Sequence, residues 1–385
     1  MIDKELKEKK YCVGCFACDN ICPVNCVSMV CDEEGFWYPN VDYSKCTKCG
    51  KCIDVCPVIN KKEVTNNPVA YACINKNGLI RLDSSSGGMF TLITEKIIDD
   101  GGVVFGAAFN DEFEVGHIYV KTKEALEKFR GSKYVQSKIG KTYKEVKDLL
   151  ESGEKVLFSG TPCQVAGLKS YLKEDYDNLF SIDIICHGVP SPMVWQKYIS
   201  YRENIAGSRT KRISFRQKND GWKKYSVSFQ FQNDTEYYEP LDKDLYMNAF
   251  LKNLCLRPSC YDYNFKGIQR ISDITLGDFW GFQNLVPEMD DDKGTSLIFI
   301  NSEKGNLIFD KIKDKCKYKK VDIINAIKNN TAAIKSVNKN PNREIFFENF
   351  DIMPFDKLVA KYCLEDKVVS ISKKIKRIIT KIKRF

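Results

Sequence analysis

The sequence predicts a mixed α/β protein in two unequal parts: a small cysteine-rich α+β module at the N-terminus and a larger body built on a mixed sheet. Three observations point there. Cysteine recurs twice at one spacing between Cys12 and Cys56. From Val69 to Tyr201, apolar runs of strand length alternate with stretches of helical periodicity, the pattern of strand–helix–strand units. From Arg212 to Glu239 apolar residues alternate with period two, at Ile213 and Phe215 and again at Tyr225, Val227, Phe229 and Phe231, so an antiparallel layer joins the body. The 385 residues divide accordingly into 1–62, the cysteine module; 68–148 and 149–330, the N-terminal and C-terminal parts of the body; and 331–385, a helical tail.

In the module, Cys12, Cys15, Cys18 and Cys22 are followed by Pro23, and Cys46, Cys49, Cys52 and Cys56 by Pro57. This is the bacterial ferredoxin run, given twice. Three thiolates closely spaced on a tight loop each reach a different iron of one cubane, while the fourth starts a helix that points away and ligates the other cluster. The expected ligand sets are Cys12, Cys15, Cys18 and Cys56 for one 4Fe-4S cluster, and Cys46, Cys49, Cys52 and Cys22 for a second. Structural zinc would want four-ligand sets such as paired C-x2-C knuckles. The third cysteine of each run, the proline after the fourth and the near repeat all argue against it. Cys26 and Cys31 fall outside the pattern and are expected to be buried packing residues.

After a polar linker from Lys61 to Pro68, Val69 to Asn75 reads as a buried strand. Asp83 to Gly88 is a serine- and glycine-rich turn before an amphipathic helix from Met89 to Asp99. Free backbone N–H groups at such a turn suit a phosphate or diphosphate, although Ser-Gly caps that bind nothing are common. Strands at 103–109 and 117–121 follow, with helices at 123–129 and 142–151. The apolar strand from Lys155 ends in a tight turn, Ser159 to Thr161, that presents Thr161, Cys163 and Gln164 at the start of the next helix. The plan then recurs, with a strand from Leu179 to Ile185, an exit loop from Cys186 to Pro192 and a helix through Tyr201. Ligands of open α/β sheets bind beyond the carboxyl ends of the strands, so these loops are expected to line one crevice. A helix at 245–253, the segment Cys255 to Tyr263, a strand with an acidic, aromatic turn from Ile271 to Gly281, a strand at 296–301 and helices at 307–313 and 342–350 complete the body.

Seventeen cysteines would suit a secreted disulfide scaffold behind a signal peptide, but Met1 to Lys10 carries no apolar core of that kind. A cytoplasmic protein with reduced thiols is expected, and no apolar run is long enough to span a membrane. Of the net charge of +9, the eight basic residues from Lys367 to Arg384 supply +8. In the same stretch Val368, Ile371, Ile375, Ile378, Ile379, Ile382 and Phe385 recur at helical spacing. This basic amphipathic helix fits either an anionic membrane surface at the inner face or a solvated helix on its own protein. With no recognition motif beside the charge, nucleic acid is not an expected partner.

Six motifs taken together carry a family resemblance: Ser85 to Phe90, Gly131 to Ser137, Ser159 to Gln164, Cys186 to Ser191, Leu256 to Cys260 and Asp273 to Gly281. In this order, over residues 69–325, the chain resembles the coenzyme F-420 hydrogenase/dehydrogenase beta-subunit family, here behind an N-terminal two-cluster ferredoxin domain. The resemblance implies a mixed-sheet flavoprotein body that binds FAD. Its pocket would draw on Ser86, Gly87, Gly88, Ser132, Lys133, Tyr134, Gly160, Thr161 and Pro162, with backbone donors meeting the diphosphate. It also implies a further 4Fe-4S cluster beside the flavin. Position 263, where the family pattern would place a cysteine, is Tyr, which leaves Cys163, Cys186, Cys255 and Cys260 as candidate ligands or as buried thiols.

Iron–sulfur clusters pass single electrons, whereas deazaflavins, nicotinamides and many organic substrates exchange hydride, and a flavin joins the two. The expected function is therefore an oxidoreductase linking a one-electron carrier, such as ferredoxin, to a small hydride-exchanging molecule. Cys163, Gln164, Cys186 and His187 are its candidate catalytic residues. His187 would orient substrate or supply a proton, or serve as a structural histidine; Asp278 and Trp280 would close the pocket, or act as a buried cap and core ring. The alternative is a non-catalytic electron-transfer subunit of a larger redox complex.

Overall fold

The computed structural model describes residues 1–6 and 8–364, so the basic amphipathic segment from Lys367 onward lies outside the described residues. In the N-terminal module, β1 (Val27–Cys31) and β2 (Trp37–Val41) pair antiparallel, and the short helices Ala17–Ile21 and Lys51–Asp54 carry the inner cysteines. Cys26 is buried as expected, but Cys31 is exposed. It shares a face of β1 with buried Val27 and half-buried Met29, but at the end of the strand it lies past the part of that face the core covers.

The body holds an eight-stranded mixed sheet in the order β13-β3-β12-β11-β7-β6-β4-β5. Its strands are β3 (Val69–Asn75), β4 (Val103–Phe109), β5 (Val115–Val120), β6 (Val156–Gly160), β7 (Leu179–Ile184), β11 (Ile274–Asp278), β12 (Ser296–Ile300) and β13 (Cys316–Val321). The sheet runs through both 68–148 and 149–330, which are parts of one structure. Strands β4, β6, β7 and β11 are parallel neighbours, and β12 runs antiparallel between β11 and β3. The carboxyl ends of β3, β4, β6, β7 and β11 therefore share one edge of the sheet, where the motif loops gather.

Alternation along the central strands feeds two faces. Val104, Leu157, Ile182 and Ile298 pack under the helices Met89–Asp99 and Glu303–Ile312. Phe105, Val156, Phe158 and Leu179 pack under the helices Thr142–Glu151 and Pro162–Leu172. The second core continues without a break into Val13, Phe16, Val27 and Val55 of the cysteine module. The module is thus docked on the body through shared apolar burial. Gly167 shows how closely: a Cβ there would lie 2.9 Å from Cys15 Cβ and 2.8 Å from the Tyr143 hydroxyl.

The period-two segment forms the separate three-stranded sheet β10-β9-β8: β8 (Thr210–Gln217), β9 (Ser226–Phe231) and β10 (Glu236–Pro240). An aromatic core under it includes Trp195, Tyr198, Phe229 and Tyr246. The short helices Arg343–Glu348 and Phe355–Val359 of the 331–364 segment pack into that core through Phe346, Phe355 and Leu358. Residues 124–129, expected as an α-helix, form a 3-10 helix. Among the described residues, no helix is long and apolar enough to cross a membrane.

Candidate functional site

Three cavities of nearly equal size are lined by cysteine. The first, about 300 Å³, is lined by Cys12, Cys15, Cys18 and Cys56 among apolar residues that include Ile2, Val13, Phe16 and Val58. The second, about 300 Å³, is lined by Cys22, Cys46, Cys49 and Cys52, together with Cys26. The exchange of the fourth cysteine between runs is therefore realised in the fold. Cys18 lies in a short helix that ends just before Cys22, and Cys52 in one that ends two residues before Cys56. Contrary to expectation, no helix starts at either fourth cysteine, and the chain leaving each helix carries that cysteine to the other cavity. Four thiols lining one apolar site are the donor set of a 4Fe-4S cubane.

Of these eight cysteines, Cys49 is exposed and Cys46 half-buried, while the other six are buried. The second set thus meets the surface at Cys49, while all four cysteines of the first are buried. Cys26 stands apart from the expected ligands, but it is not only packing: its Sγ is 3.3 Å from Cys22 Sγ, and its N–H donates to that sulfur at 3.2 Å.

The third cavity, about 290 Å³, lies at the carboxyl ends of β6 and β7. Cys163, Cys186, His187, Cys260 and Tyr263 line it, and Val13 belongs to its wall as well as to that of the first cavity. Cys163 and Cys186 thus share a cavity, as the strand-end argument expects. Gln164 does not line it. Its Oε1 accepts the Thr161 N–H at 2.9 Å and its Nε2 donates to Ser137 Oγ at 2.9 Å, so it caps the helix begun at Pro162 and fixes the turn. Cys255 is not brought to the cavity. Fully buried beside Leu254 and Leu256, it packs in the aromatic core, and the Arg257-Pro258 turn then swings Cys260 to the other side.

Burial pushes the thiols of this cavity up, Cys186 to about 11 and Cys260 to about 12, so a thiolate here needs a cation or a metal to compensate it. Arg257 supplies one cation. It is fully buried and donates to Cys12 O at 2.8 Å, Trp37 O at 2.9 Å and Gln136 Oε1 at 3.2 Å, with its guanidinium 4.2 Å from the Tyr38 ring centre. None of these partners is an acid. Arg257 therefore ties the module to the body and holds positive charge between the first and third cavities. It lies within the Leu256 to Cys260 motif, but its role depends on contacts more than 200 residues apart in sequence, which the motif does not announce.

His187 Nε2 donates to Asn253 Oδ1 at 2.7 Å, and burial lowers its pKa, which leaves a neutral ring with Nδ1 as its free acceptor. His117, not anticipated from sequence, sits behind the β6 turn. Its Nε2 donates to Ser159 O at 2.9 Å, its Nδ1 is 3.1 Å from Ser137 Oγ, and burial pushes it down to about 4.

The Ser86-Gly87-Gly88 turn is largely committed to the protein itself. Ser86 Oγ donates to Thr295 O at 3.0 Å, and a Cβ on Gly87 would lie 2.4 Å from Cys73 O, so the missing side chain serves close packing on β12 and β3. Ser85 Oγ accepts from both the N–H and the hydroxyl of Ser132, at 2.6 and 2.8 Å, which joins this turn to the Gly131–Tyr134 loop. Lys133 in that loop is a lysine with no acidic partner among the described residues. Its Nζ contacts the carbonyls of Arg130 and Gly131 at 3.4 and 3.3 Å and lies 5.7 Å from the Phe109 ring centre, and burial lowers it to about 7. The fit to an anionic diphosphate rests on Lys133 more than on the glycines. Tyr134 stacks on Phe250 and accepts a hydrogen bond from Arg216, which pairs with Asp278 at 2.8 Å. Trp280 stacks on Trp222 at 4.3 Å, so Asp278 and Trp280 are packed and paired within the body.

Residues 153–325 match the family described as the C-terminal part of the coenzyme F420 hydrogenase/dehydrogenase beta subunit, and residues 11–60 match the 4Fe-4S dicluster domain. The chain is 21% identical over 325 residues to one of the subunits of the F(420)H(2) dehydrogenase of Methanosarcina mazei, covering 80% of this chain and 84% of the relative. It is 44% identical over 65 residues to one of the subunits of the Na(+)-translocating ferredoxin:NAD(+) oxidoreductase complex of Acetobacterium woodii, a stretch that covers 17% of each protein. Among solved structures it is similar to a chain of the F420-reducing NiFe hydrogenase complex of Methanosarcina barkeri, at 16% identity and a TM-score of 0.47, over 75% of this chain and 94% of that one.

Proposed function

We propose that the chain is an iron–sulfur flavoprotein oxidoreductase, a reading supported by the match of residues 153–325 to the coenzyme F420 hydrogenase/dehydrogenase beta-subunit family and of residues 11–60 to the 4Fe-4S dicluster domain. It passes electrons between a one-electron carrier protein such as ferredoxin and a small hydride-exchanging molecule, an F-420-like deazaflavin or another organic substrate, in the cytoplasm. The observation that carries this reading is the order of the three cavities. Of the cysteines that line them, the exposed one is Cys49, in the second, and Val13 alone is common to the walls of the first and the third.

In this reading Cys22, Cys46, Cys49 and Cys52 hold the outer cluster and meet the carrier. Cys12, Cys15, Cys18 and Cys56 hold the inner one, and Cys163, Cys186 and Cys260 hold a third at the strand ends. Arg257 compensates the negative charge of the inner and third centres from within a dry interior, where its field is weakly screened. FAD would bind along the loops that carry Ser132, Lys133, Tyr134, Gly160, Thr161 and Pro162, with the Ser86–Gly88 turn beside them. When bound, it supplies the exchange between single electrons and hydride. Lys133 meets the diphosphate, and His187 Nδ1 is an acceptor that positions substrate.

A second reading, a non-catalytic electron-transfer subunit, is favoured by the relatives' names, two of which are subunits of larger enzymes. One experiment separates the two. Anaerobically purified protein is assayed for iron and flavin, then titrated with a reduced one-electron donor while the flavin band is followed. Bleaching supports the enzyme reading. Intact clusters with no flavin, and none restored by added FAD, leave the non-catalytic reading.

A further inference from the structure

The third cavity, like the two ferredoxin cavities, is lined by cysteine, but it differs from them in sulfur. Four thiols surround the first, and the second has five, counting Cys26. Three surround the third, and each comes from a different element: the start of the helix Pro162–Leu172, the exit loop of β7 and the 3-10 helix Pro258–Asp262. The fourth wall belongs to Tyr263. Its hydroxyl oxygen accepts the Cys163 N–H at 2.8 Å, which fixes the phenol beside the first of the three thiols. The chain cannot easily bring in another sulfur, because Cys255 is held on the far side of the Arg257-Pro258 turn and its carbonyl accepts the Ser191 N–H. The approach of the β7 loop to Cys260 is also fixed: a Cβ on Gly188 would lie 3.2 Å from Cys260 Cβ.

Resting on the reading that this cavity holds a cluster, we propose that Cys163, Cys186 and Cys260 ligate three of its irons, and that the fourth iron faces the Tyr263 oxygen without a thiolate. Cubanes of the first and second cavities have sulfur at every corner, whereas this one has an oxygen-faced, exchangeable corner. Thr161, His187 and Ser259 line the same cavity, so the ligand class suited to that corner is a small oxygen donor, water or an anionic oxygen of substrate. The strand-end centre would then be a place where a molecule meets iron, as well as a relay.

The test uses the full chain, purified anaerobically and treated with ferricyanide, a one-electron oxidant. A cubane with one non-thiolate corner loses one ferrous ion and gives one electron to ferricyanide, leaving a three-iron cluster with a distinct EPR signal. That signal is expected in the wild type, with the released ferrous ion caught by a chelator, and is expected to be lost in Tyr263→Cys, where a fourth thiolate closes the corner while iron content is kept. An equal signal in Tyr263→Cys, or none in the wild type, overturns the proposal. Cys260→Ser tests the reading beneath it. If iron content is unchanged in Cys260→Ser, no cluster occupies the cavity; if iron falls while Tyr263→Cys behaves as wild type, only the open corner is refuted.

Discussion

Replacing Arg257 by Met should loosen the iron–sulfur module from the body. Arg257 makes three hydrogen bonds, at 2.8, 2.9 and 3.2 Å, and two of their acceptors are backbone carbonyls of the module, Cys12 O and Trp37 O. A bond from a charged donor contributes roughly 1.5–3 kcal/mol, and a buried carbonyl left without its partner costs roughly 1–3 kcal/mol. Removing a buried cation that lacks an acid returns part of this as desolvation. A net loss of about 3 kcal/mol is therefore expected, which raises the open population on the order of a hundredfold. The assay is the anaerobic rate of iron loss to a chelator, read at the visible cluster band, together with the denaturant midpoint. Arg257→Lys, which keeps the charge but can satisfy fewer acceptors, should fall between. Unchanged iron loss and an unchanged midpoint in Arg257→Met would refute the argument that this residue couples the two parts.

Cys22→Ser should deplete the cluster beside Cys46, Cys49 and Cys52, and Cys56→Ser the one beside Cys12, Cys15 and Cys18, as EPR of each variant can distinguish; loss of the same cluster in both would contradict the crossed cavities. His117 is neutral in the native state, with its pKa lowered from 6.5 to about 4, so the unfolded chain binds the extra proton between those values. Stability should rise from pH 4 to 6.5 and level off above, with up to about 3 kcal/mol lost on acidification, and His117→Asn should flatten that part of the urea-midpoint profile. Lys133→Met should weaken FAD binding by removing the one cation of its loop that lacks an acid, while cluster content stays the same; unchanged FAD affinity by fluorescence titration would remove Lys133 from the pocket.

The cysteine module was legible because cluster ligation is written in local spacing, and even its long-range exchange of Cys22 and Cys56 was expected from the repeat, although each fourth cysteine follows a short helix instead of opening one. The buried strands β3, β6 and β12 were legible for a similar reason, as short apolar runs between turns. Strand β13 was not: Lys317, Lys319 and Lys320 give it a polar reading, and as an edge strand it needs exposed charge to resist further pairing. Cys163 and Cys186 could be placed together from strand order, but choosing Cys260 over Cys255 depends on one proline-led turn that reverses the exposed side. The roles of Arg257 and His117 arise only once distant segments meet. The glycine turn at 86–88 was ambiguous in the sequence, because close packing of a turn on a sheet and cradling of a phosphate ask for the same residue.

The central claim is that electrons cross from the surface at Cys49 to a flavin at the strand ends. The most direct measurement is the rate at which a reduced one-electron carrier bleaches bound FAD in the wild type and in Cys49→Ala, after both are matched for flavin content. Prompt bleaching is expected in the wild type and a strongly slowed reaction in the variant, with direct hydride reduction of the flavin unaffected. Equal rates with the carrier in both proteins would contradict the claim.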